Sequence, residues 1–581
     1  MHATDLPGRR RRRRVRPLFI YFLLFIAAAA AVVWWFGFKD TASKERIVPD
    51  YMAHDAPIML RGEWTNAYAL GTGDGMRIPL EVAKQILGDG IRYEPETESI
   101  ILTTDRDVLH FRTGDRKATL NSKPFSLAFA AQKTAGELYV PLAPLAELFG
   151  LRAETGDSTS IVTLLQPGDS VQVGQVPVAA KKAVQLRSGP DKSYPIVEDV
   201  QPGTKVRLWS EADKDGWFAA QAASGQLGYV SKKDVDISGV ERVEEMAQEQ
   251  EPFVAWQGEG RKINLTWEAV YSSNPDTGKI GAMQGVNVVS PTWFELADGT
   301  GIIRSKADAG YSAWAKSKGM QVWGLFSNGF EPNRTHEALS SYETRLSMIE
   351  QLLAYAKTFK LQGINIDFEN VYTKDKDNLV QFVREMTPLL HEANLVVSID
   401  VTPKSSTEMW SAFYDRKRLG ESVDFMMVMA YDEHWASSPT AGSVSSLPWA
   451  ENSVRRIIEE DGVPSSKLIL GMPLYMRLWT EEPDDKGGVK VSSKTLGMAA
   501  AQKIVQEKKL KPVFSEETGQ HYVEYPEGTA LKRIWIEDAS SIRARAELVE
   551  KLGLAGVASW RRGFETSDIW GAIDQGLQSK Q

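Results

Sequence analysis

The chain has 581 residues, enough for about three or four domains, and it contains no cysteine, so disulfide bonds, zinc–thiolate sites and cysteine nucleophiles are excluded. Seven scattered histidines without an HExxH-type pair predict neither a dedicated metal site nor a cofactor. The formal net charge is −8, and because residues 1–38 carry +6, the remaining residues carry −14, which argues against a nucleic-acid partner.

The amino-terminal segment differs from the rest of the chain. Arg9–Arg14 and Arg16 make a basic block, and the uncharged run 18–38 that follows would span about one bilayer core as a helix of roughly 1.5 Å rise per residue. We expect a transmembrane signal anchor there, with residues 1–17 as a cytoplasmic basic tail. The location implied is the cell membrane, single-pass type II, with the remainder extracytoplasmic. A cleaved signal peptide is the alternative, because Ala27–Ala31 offers small residues.

Residues 45–165 contain a degenerate internal repeat in which each copy predicts a strand, a short helix and two further strands. The first copy is Arg77–Leu80, Gly90–Glu94 and Ser99–Thr103, and the second is Tyr139–Leu142, Gly150–Glu154 and Ser160–Leu164. The pattern resembles the small α+β stalk domain related to the N-terminal domain of copper amine oxidases. Nothing in it predicts catalysis.

Residues 170–236 predict an all-β module of short strands separated by turns. The strand and turn signals are Val184–Pro190, Tyr194–Val197, Gly216–Trp217 and Gly228–Val230. The pattern resembles a bacterial SH3 domain, which implies an SH3-like barrel that binds the cell wall. Its aromatic residues could equally form a core. Residues 237–253 are polar and rich in Glu and Gln, so we interpret them as a linker.

From residue 254 to 581, eight apolar runs alternate with amphipathic stretches of helical periodicity. The runs are Ile263–Tyr271, Gly285–Pro291, Gln321–Ser327, Gly363–Phe368, Leu395–Val401, Asp424–Tyr431, Leu468–Leu474 and Leu554–Trp560. Eight strand–helix units predict an α/β fold, a (β/α)8 TIM barrel with its chemistry at the carboxyl ends of the strands. Residues 477–533 are too long for one connection and predict an insertion.

The fourth apolar run ends in two carboxylates. Strand alternation places Asn365, Asp367 and Glu369 on one face. Burying two such carboxylates is costly and raises the pKa of at least one of them, which a general acid working near neutral pH requires. The alternative is a strand end whose acids are solvated or paired with Lys or Arg.

At this point residues 254–581 resemble glycoside hydrolase family 18, and most closely its branch of spore and cell-wall peptidoglycan hydrolases. The fourth-strand motif of that family, D-x-x-D-x-D-x-E, corresponds here to Gln362, Asn365, Asp367 and Glu369. The last two acids match, whereas the first two positions are amides.

Three further motifs support the resemblance. Met429–Asp432 ends the sixth run as the M-x-Y-D of the family does, and Trp560 ends the eighth run where the family has a tryptophan under the sugar. Gly471–Tyr475 fits the seventh strand.

The resemblance implies a substrate-assisted, retaining mechanism. In it Glu369 protonates the glycosidic oxygen, Asp367 orients the 2-acetamido group that attacks the anomeric carbon, and Tyr431 donates a hydrogen bond to the acetamido oxygen. The substrate-binding residues that we expect are Asn365, Met429, Asp432, Trp560 and Trp293.

The amides have a predicted consequence for the pH optimum. An acid at position 365 could share a proton with Asp367, and Asn365 cannot. The loss of one negative charge should therefore make the optimum more acidic than in a relative with acids throughout.

Together these features predict a membrane-anchored extracytoplasmic glycosidase that hydrolyses N-acetylglucosamine linkages in peptidoglycan or a related wall glycan. The expected partners are a polysaccharide containing N-acetylglucosamine, the cell wall through the SH3-like domain and the membrane through the amino-terminal helix. The alternatives are a chitinase or exo-N-acetylglucosaminidase, and a non-catalytic glycan-binding wall protein.

Overall fold

A computed structural model describes the protein over residues 17–38, 42–244, 253–256, 258–483 and 488–578. The chain divides into two compact units. The first unit comprises residues 1–86 and 131–247, and the second comprises residues 87–130 and 248–581.

The amino-terminal helix α1 spans Pro17–Phe38 and carries no charged residue. Its side chains are described only over 21–34, where they are exposed. Within the part of the chain that the structure describes, no helix has the length and apolarity needed to cross a membrane. This finding does not support the anchor predicted at 18–38. Residues 1–16 of the predicted basic tail lie outside the described residues.

The next region alternates short strands with two helices. Its elements are β1 (Pro57–Leu60), β2 (Glu63–Tyr68), β3 (Arg77–Pro79), α2 (Leu80–Leu87), β4 (Ile91–Glu94), β5 (Ser99–Thr103), β6 (Val108–Arg112), β7 (Lys117–Leu120), β8 (Lys123–Ser126), β9 (Gln132–Thr134), β10 (Glu137–Pro141), α3 (Leu142–Phe149), β11 (Arg152–Thr155) and β12 (Val162–Leu165). In the first unit these form the sheets β11-β12-β1-β2 and β3-β10-β9, whereas β4 to β8 form an antiparallel sheet of the second unit.

Seven strands follow in the first unit. They are β13 (Ser170–Gln175), β14 (Val184–Arg187), β15 (Ile196–Val200), β16 (Lys205–Leu208), β17 (Trp217–Gln221), β18 (Leu227–Ser231) and β19 (Asp236–Arg242). They form one antiparallel sheet around a core that includes Leu186, Phe218 and Val230. β19 corrects the start of the linker predicted at 237–253, because its backbone pairs with β13 while its side chains are mostly exposed, so its polar composition gave no strand signal.

The remaining elements build the barrel of the second unit. They are β20 (Ile263–Glu268), β21 (Val288–Pro291), β22 (Phe294–Leu296), β23 (Ile303–Ser305), α4 (Ala309–Ser317), β24 (Gln321–Ser327), α5 (Pro332–Leu339), α6 (Tyr342–Phe359), β25 (Gly363–Asp367), α7 (Lys376–Glu392), β26 (Val396–Val401), α8 (Arg416–Ser422), β27 (Phe425–Met429), α9 (Leu447–Asp461), β28 (Leu468–Pro473), β29 (Tyr475–Pro483), β30 (Val489–Gly497), α10 (Met498–Glu507), β31 (Val513–Ser515), β32 (Gln520–Glu527), β33 (Ala530–Ile536), α11 (Ala539–Leu552), β34 (Gly556–Trp560) and α12 (Ile569–Gln578).

Eight of these strands form a closed parallel barrel, as the apolar runs predict. The order around it is β20, β21, β24, β25, β26, β27, β28 and β34, and β34 pairs with β20 to close it. The strands are mostly apolar because both of their faces are buried. Trp267, Trp323 and Met427 fill the interior, while Phe368 and Phe382 belong to the layer between strands and helices.

An antiparallel sheet of β29 to β33 and helix α10 lie between barrel strands β28 and β34 in the chain. They cover Tyr475–Ile536, close to the insertion predicted at 477–533.

The sheet β4 to β8 is tied to the barrel helices. Arg345 of α6 is fully buried, and its guanidinium pairs with Glu385 of α7 at 2.7 Å and with Glu94 of β4 at 2.8 Å. Ile101 and Val108 belong to the same apolar cluster as the helical layer. The stalk predicted as one domain over 45–165 is therefore split, because its central sheet packs with the barrel.

Candidate active site

Asn365 connects four barrel strands at its place on β25. Its Oδ1 accepts hydrogen bonds from Nε1 of Trp267 on β20 (2.9 Å) and from Oγ of Ser290 on β21 (3.1 Å). Its Nδ2 donates to Oδ1 of Asp400 on β26 (2.9 Å). All four side chains are buried. The amide therefore fixes the interior of the barrel directly beside the two acids of the motif.

Asp367 lies next to a carboxylate that the motif does not contain. Asn365 pairs with Ser398 and Ile366 with Ile399, so the next position of the same parallel register sets Asp367 beside Asp400. Both are buried. Burial and the Asp400 charge raise the pKa of Asp367 well above its usual value, and burial raises the pKa of Asp400.

Asp400 changes the premise of the expected acidic pH optimum, which remains a prediction. That expectation assumed that Asn365 costs the site one negative charge. Asp400 restores a carboxyl group beside Asp367, and among the described residues neither acid forms an ion pair with a lysine or arginine. A single acid inside the apolar run 395–401 was the sequence signal for this residue, and its place just before the end of that run matches the place of Asp367 in the run 363–368.

Glu369 follows β25 by two residues and is half-buried. Burial, followed by the charges of Asp367 and Asp432, raises its pKa well above the usual value. The side chain of Asn328 holds its backbone from both sides, accepting from the N–H (3.1 Å) and donating to the carbonyl (2.7 Å). Among the described residues no lysine or arginine pairs with its carboxylate. The carboxyl group is therefore suited to hold a proton and to donate it.

Tyr431 and Asp432 follow β27. Burial, and then the charge of Asp400, raises the pKa of Tyr431, so its hydroxyl remains a hydrogen-bond donor. Asp432 has a left-handed backbone (φ 61°), and its Oδ1 accepts from the hydroxyl of Tyr475 (2.6 Å) and from Nη2 of Arg477 (2.8 Å). Asp432 is thereby fixed in an Asp–Tyr–Arg network.

Three family models match the chain. Residues 315–565 match glycosyl hydrolases family 18, residues 68–164 match the copper amine oxidase N-terminal domain and residues 182–236 match the bacterial SH3 domain. The barrel therefore resembles the family 18 glycosyl hydrolases, and we call it the family 18 barrel. All three resemblances drawn from the sequence are confirmed.

Three curated proteins are similar to part of this chain. The chain is 26% identical over 343 residues to the uncharacterized glycosylase YvbX of Bacillus subtilis, which covers 56% of this chain and 95% of YvbX. It is 24% identical over 256 residues to the cortical fragment-lytic enzyme of Bacillus subtilis, covering 43% of this chain and 58% of that protein. It is 25% identical over 268 residues to di-N-acetylchitobiase of Rattus norvegicus, covering 39% and 71%.

The remaining predicted residues of the family 18 barrel divide into two groups. Trp560 ends β34 and is half-buried, and its ring lies edge-on to that of Trp267, with ring centroids 5.9 Å apart. Met429 is buried at the end of β27. Trp293 is fully buried, and its Nε1 donates to Asn274 at 2.6 Å. The predicted sugar-binding role of Trp293 is therefore wrong, because neither face of its ring is accessible. It packs into the helical layer instead.

Gln362 stands where the family has its first acid. Its Oε1 accepts from the backbone N–H of Val322 (3.0 Å), and its Nε2 donates to the carbonyl of Lys360 (2.7 Å). Because it precedes β25, it lies at the amino-terminal end of the strand, away from Glu369. The amide at this position therefore connects two strands.

A group of exposed aromatic residues, which we call the aromatic rim, was not among the predicted site residues. Each follows the carboxyl end of a barrel strand, which places the group at the same end of the family 18 barrel as Glu369. The members and their exposed fractions are Tyr271 (73%), Phe330 (46%), Trp410 (45%) and Trp435 (52%). Exposed aromatic faces near an acid are suited to stack on sugar rings.

Replacing Trp410 by alanine should raise KM for soluble N-acetylglucosamine oligomers by about tenfold, the equivalent of about 1.4 kcal/mol of lost stacking. The turnover number should change little, because stacking on the rim would stabilise the bound substrate and the transition state alike. Steady-state kinetics measures both. Tyr194→Ala, an exposed aromatic of the SH3-like module, is the control and should leave KM unchanged. Equal KM values for Trp410→Ala and the wild type would contradict a role of the rim.

Proposed function

We propose that this protein hydrolyses N-acetylglucosamine linkages in peptidoglycan or a related wall glycan by a retaining, substrate-assisted mechanism. The observation that carries the proposal is Glu369, an acid with a raised pKa and no cationic partner among the described residues, at the carboxyl end of the barrel. A protonated carboxyl group at neutral pH is the donor that cleavage of a glycosidic bond requires.

In the first step Glu369 gives its proton to the bridging oxygen of the glycan. The 2-acetamido carbonyl oxygen of the substrate attacks the anomeric carbon and forms an oxazolinium-type intermediate, so no carboxylate nucleophile is needed. Asp367 accepts a hydrogen bond from the acetamido N–H and stabilises the positive charge that develops there. Tyr431 donates a hydrogen bond to the acetamido oxygen, which its raised pKa permits.

In the second step Glu369, now ionised, removes a proton from a water molecule that attacks the anomeric carbon. The intermediate opens and the product keeps the configuration of the substrate. The same carboxyl group thus serves as acid and then as base.

The wall glycan is favoured over other substrates by two observations. One relative is named a cortical fragment-lytic enzyme, and the chain carries a bacterial SH3 domain, a module suited to holding the protein on the wall. The similarity to di-N-acetylchitobiase supports the second candidate, a chitinase or exo-N-acetylglucosaminidase.

Mass spectrometry of the products distinguishes the candidates. We expect purified peptidoglycan to yield muropeptides with N-acetylglucosamine at the new reducing end, and NMR of the first product to show the retained anomer. Cleavage of chitin oligomers alone would favour the second candidate. If the wild type and Glu369→Gln both bind glycan and neither cleaves it, the protein is a glycan-binding wall protein instead.

We also propose that the barrel acts outside the cytoplasm, in a single-pass type II protein of the cell membrane. The support is the arginine block before the uncharged run 18–38, which favours a cytoplasmic amino terminus. Protease added to intact cells should then degrade the barrel, and carbonate washing should leave the protein with the membranes. A protected barrel would overturn this location.

A further inference from the structure

The acids at the centre of the site are hydrogen-bonded unequally. Asp400 accepts a hydrogen bond from Nδ2 of Asn365 (2.9 Å), whereas Oδ1 of Asp367 is buried without any hydrogen-bond partner among the described residues. A donor stabilises the ionised form of a carboxyl group, and burial without one favours the neutral form. Of the two acids, Asp400 is therefore ionised more readily, and Asp367 more readily keeps its proton.

The groups that face this pair leave it without a counter-ion. Glu369 on the same segment, Tyr414 after β26 and Tyr431 after β27 all interact with the pair. The cations of these segments have other partners. Arg416 lies over the ring of Tyr414 and donates to Thr402 and Ser411, and Arg477 pairs with Asp432. Two adjacent buried carboxyl groups without a cation cannot both ionise, so the pair holds one negative charge and one proton.

We propose that Asp400 supplies the acid that position 365 lacks and accepts the proton of Asp367 when the acetamido group of the substrate binds. This inference rests on the proposed function. The acetamido N–H needs an acceptor, and Asp367 is a much stronger acceptor when ionised, when it also stabilises the positive charge that develops on the acetamido group. The O–H bond of Asp367 breaks and an O–H bond forms on Asp400, so the pair carries one negative charge before and after the transfer. The field at Glu369 then changes little, and Glu369 keeps the proton that it must donate.

Asp400 is in these terms a positioning residue, and its first test needs no activity. A carboxyl group whose folded-state pKa is raised stabilises the protein below its unfolded-state pKa, and that stability is lost as the pH rises through the folded-state pKa. Asp400→Asn removes one such group and keeps the shape of the side chain. The urea midpoint of the variant should match that of the wild type at pH 4 and exceed it at pH 8. If the two midpoints differ equally at pH 4 and pH 8, or if the variant is less stable at pH 8, Asp367 and Asp400 do not share one proton.

The second test exchanges the two side chains. Asp400→Asn should lower kcat by about 10²-fold, the low end of what a positioned proton acceptor contributes, with little change in KM. The double variant Asn365→Asp/Asp400→Asn again places one carboxyl group and one amide beside Asp367 and should recover most of the loss. A purely structural role would not be rescued by exchange, so a double variant no faster than Asp400→Asn overturns the proposal.

Asp424→Asn is the matched control, because Asp424 precedes β27 and accepts from the N–H of Val397 at the opposite end of the barrel. Its kcat should equal that of the wild type. A wild type that cleaves no glycan would refute the proposed function, and the pH dependence of stability would still decide whether Asp367 and Asp400 share one proton.

Discussion

Glu369→Gln should lower kcat on the wall glycan by about 10²–10⁴-fold, the contribution of a positioned general acid. The amide keeps the shape of the side chain and cannot give a proton to the glycosidic oxygen. KM should change little, because the sugar contacts remain. In the wild type the rate should fall as the pH rises through the raised pKa of Glu369, since only the protonated form is active. Release of reducing ends measures both effects.

Glu350→Gln provides the matched control for this variant. Glu350 lies on the exposed face of α6, and the same chemical change there should leave kcat unchanged. Wild-type turnover by Glu369→Gln would remove Glu369 from the mechanism. Loss of activity in both variants would point to damage to the fold.

Arg345→Met should lower the free energy of unfolding of the second unit by about 3–5 kcal/mol, because breaking a buried ion pair leaves its partners uncompensated. Arg345 is fully buried between Glu94 and Glu385, and its Nη1 also donates to the carbonyl of Leu339 (3.0 Å). The variant would leave Glu385 without its cation and Glu94 paired only with Arg92, whose Nε lies 3.0 Å from its Oε1. Urea denaturation followed by tryptophan fluorescence measures the loss.

Two further variants separate charge from packing. Glu94→Gln/Arg345→Met/Glu385→Gln removes Arg345 and both of its acidic partners and should recover most of the stability. Arg92, the other partner of Glu94, is only half-buried and keeps its hydrogen bond to Asn378. Arg543→Met removes an exposed partner of Glu547 on α11 and should cost less than about 1 kcal/mol. Equal losses for Arg345→Met and Arg543→Met would show that the buried cluster contributes no more than a surface pair.

The barrel strands and the acids at the end of β25 could be predicted because their signals are local. Eight apolar runs separated by amphipathic stretches allow few other folds, and strand alternation alone puts Asp367 and Glu369 on one face. The orientation of Trp293 could not be predicted from local sequence signals. A tryptophan two residues beyond a strand can turn toward the barrel mouth or toward the helices, and only the packing around it decides.

The role of Asp400 and the division of the stalk depend on non-local contacts. Asp400 is one acid in an apolar run, and its meaning comes from Asn365, which is 35 residues away in the chain. Likewise Arg345 looks like any charged residue of a helix, and its partner Glu94 is far away in sequence. A single sequence contains no signal for such pairs.

The assignment of residues 87–130 to the barrel unit means that the polypeptide crosses between the two units three times. A protease cut between residues 244 and 253 would therefore not release the hydrolase. The amino-terminal fragment would retain β4 to β8. These strands would still bind the barrel, because Glu94 pairs with Arg345 and the apolar side chains of the sheet pack against the helices. The nicked protein should elute as one species from a gel-filtration column. It should separate into two bands only in gel electrophoresis with a denaturing detergent.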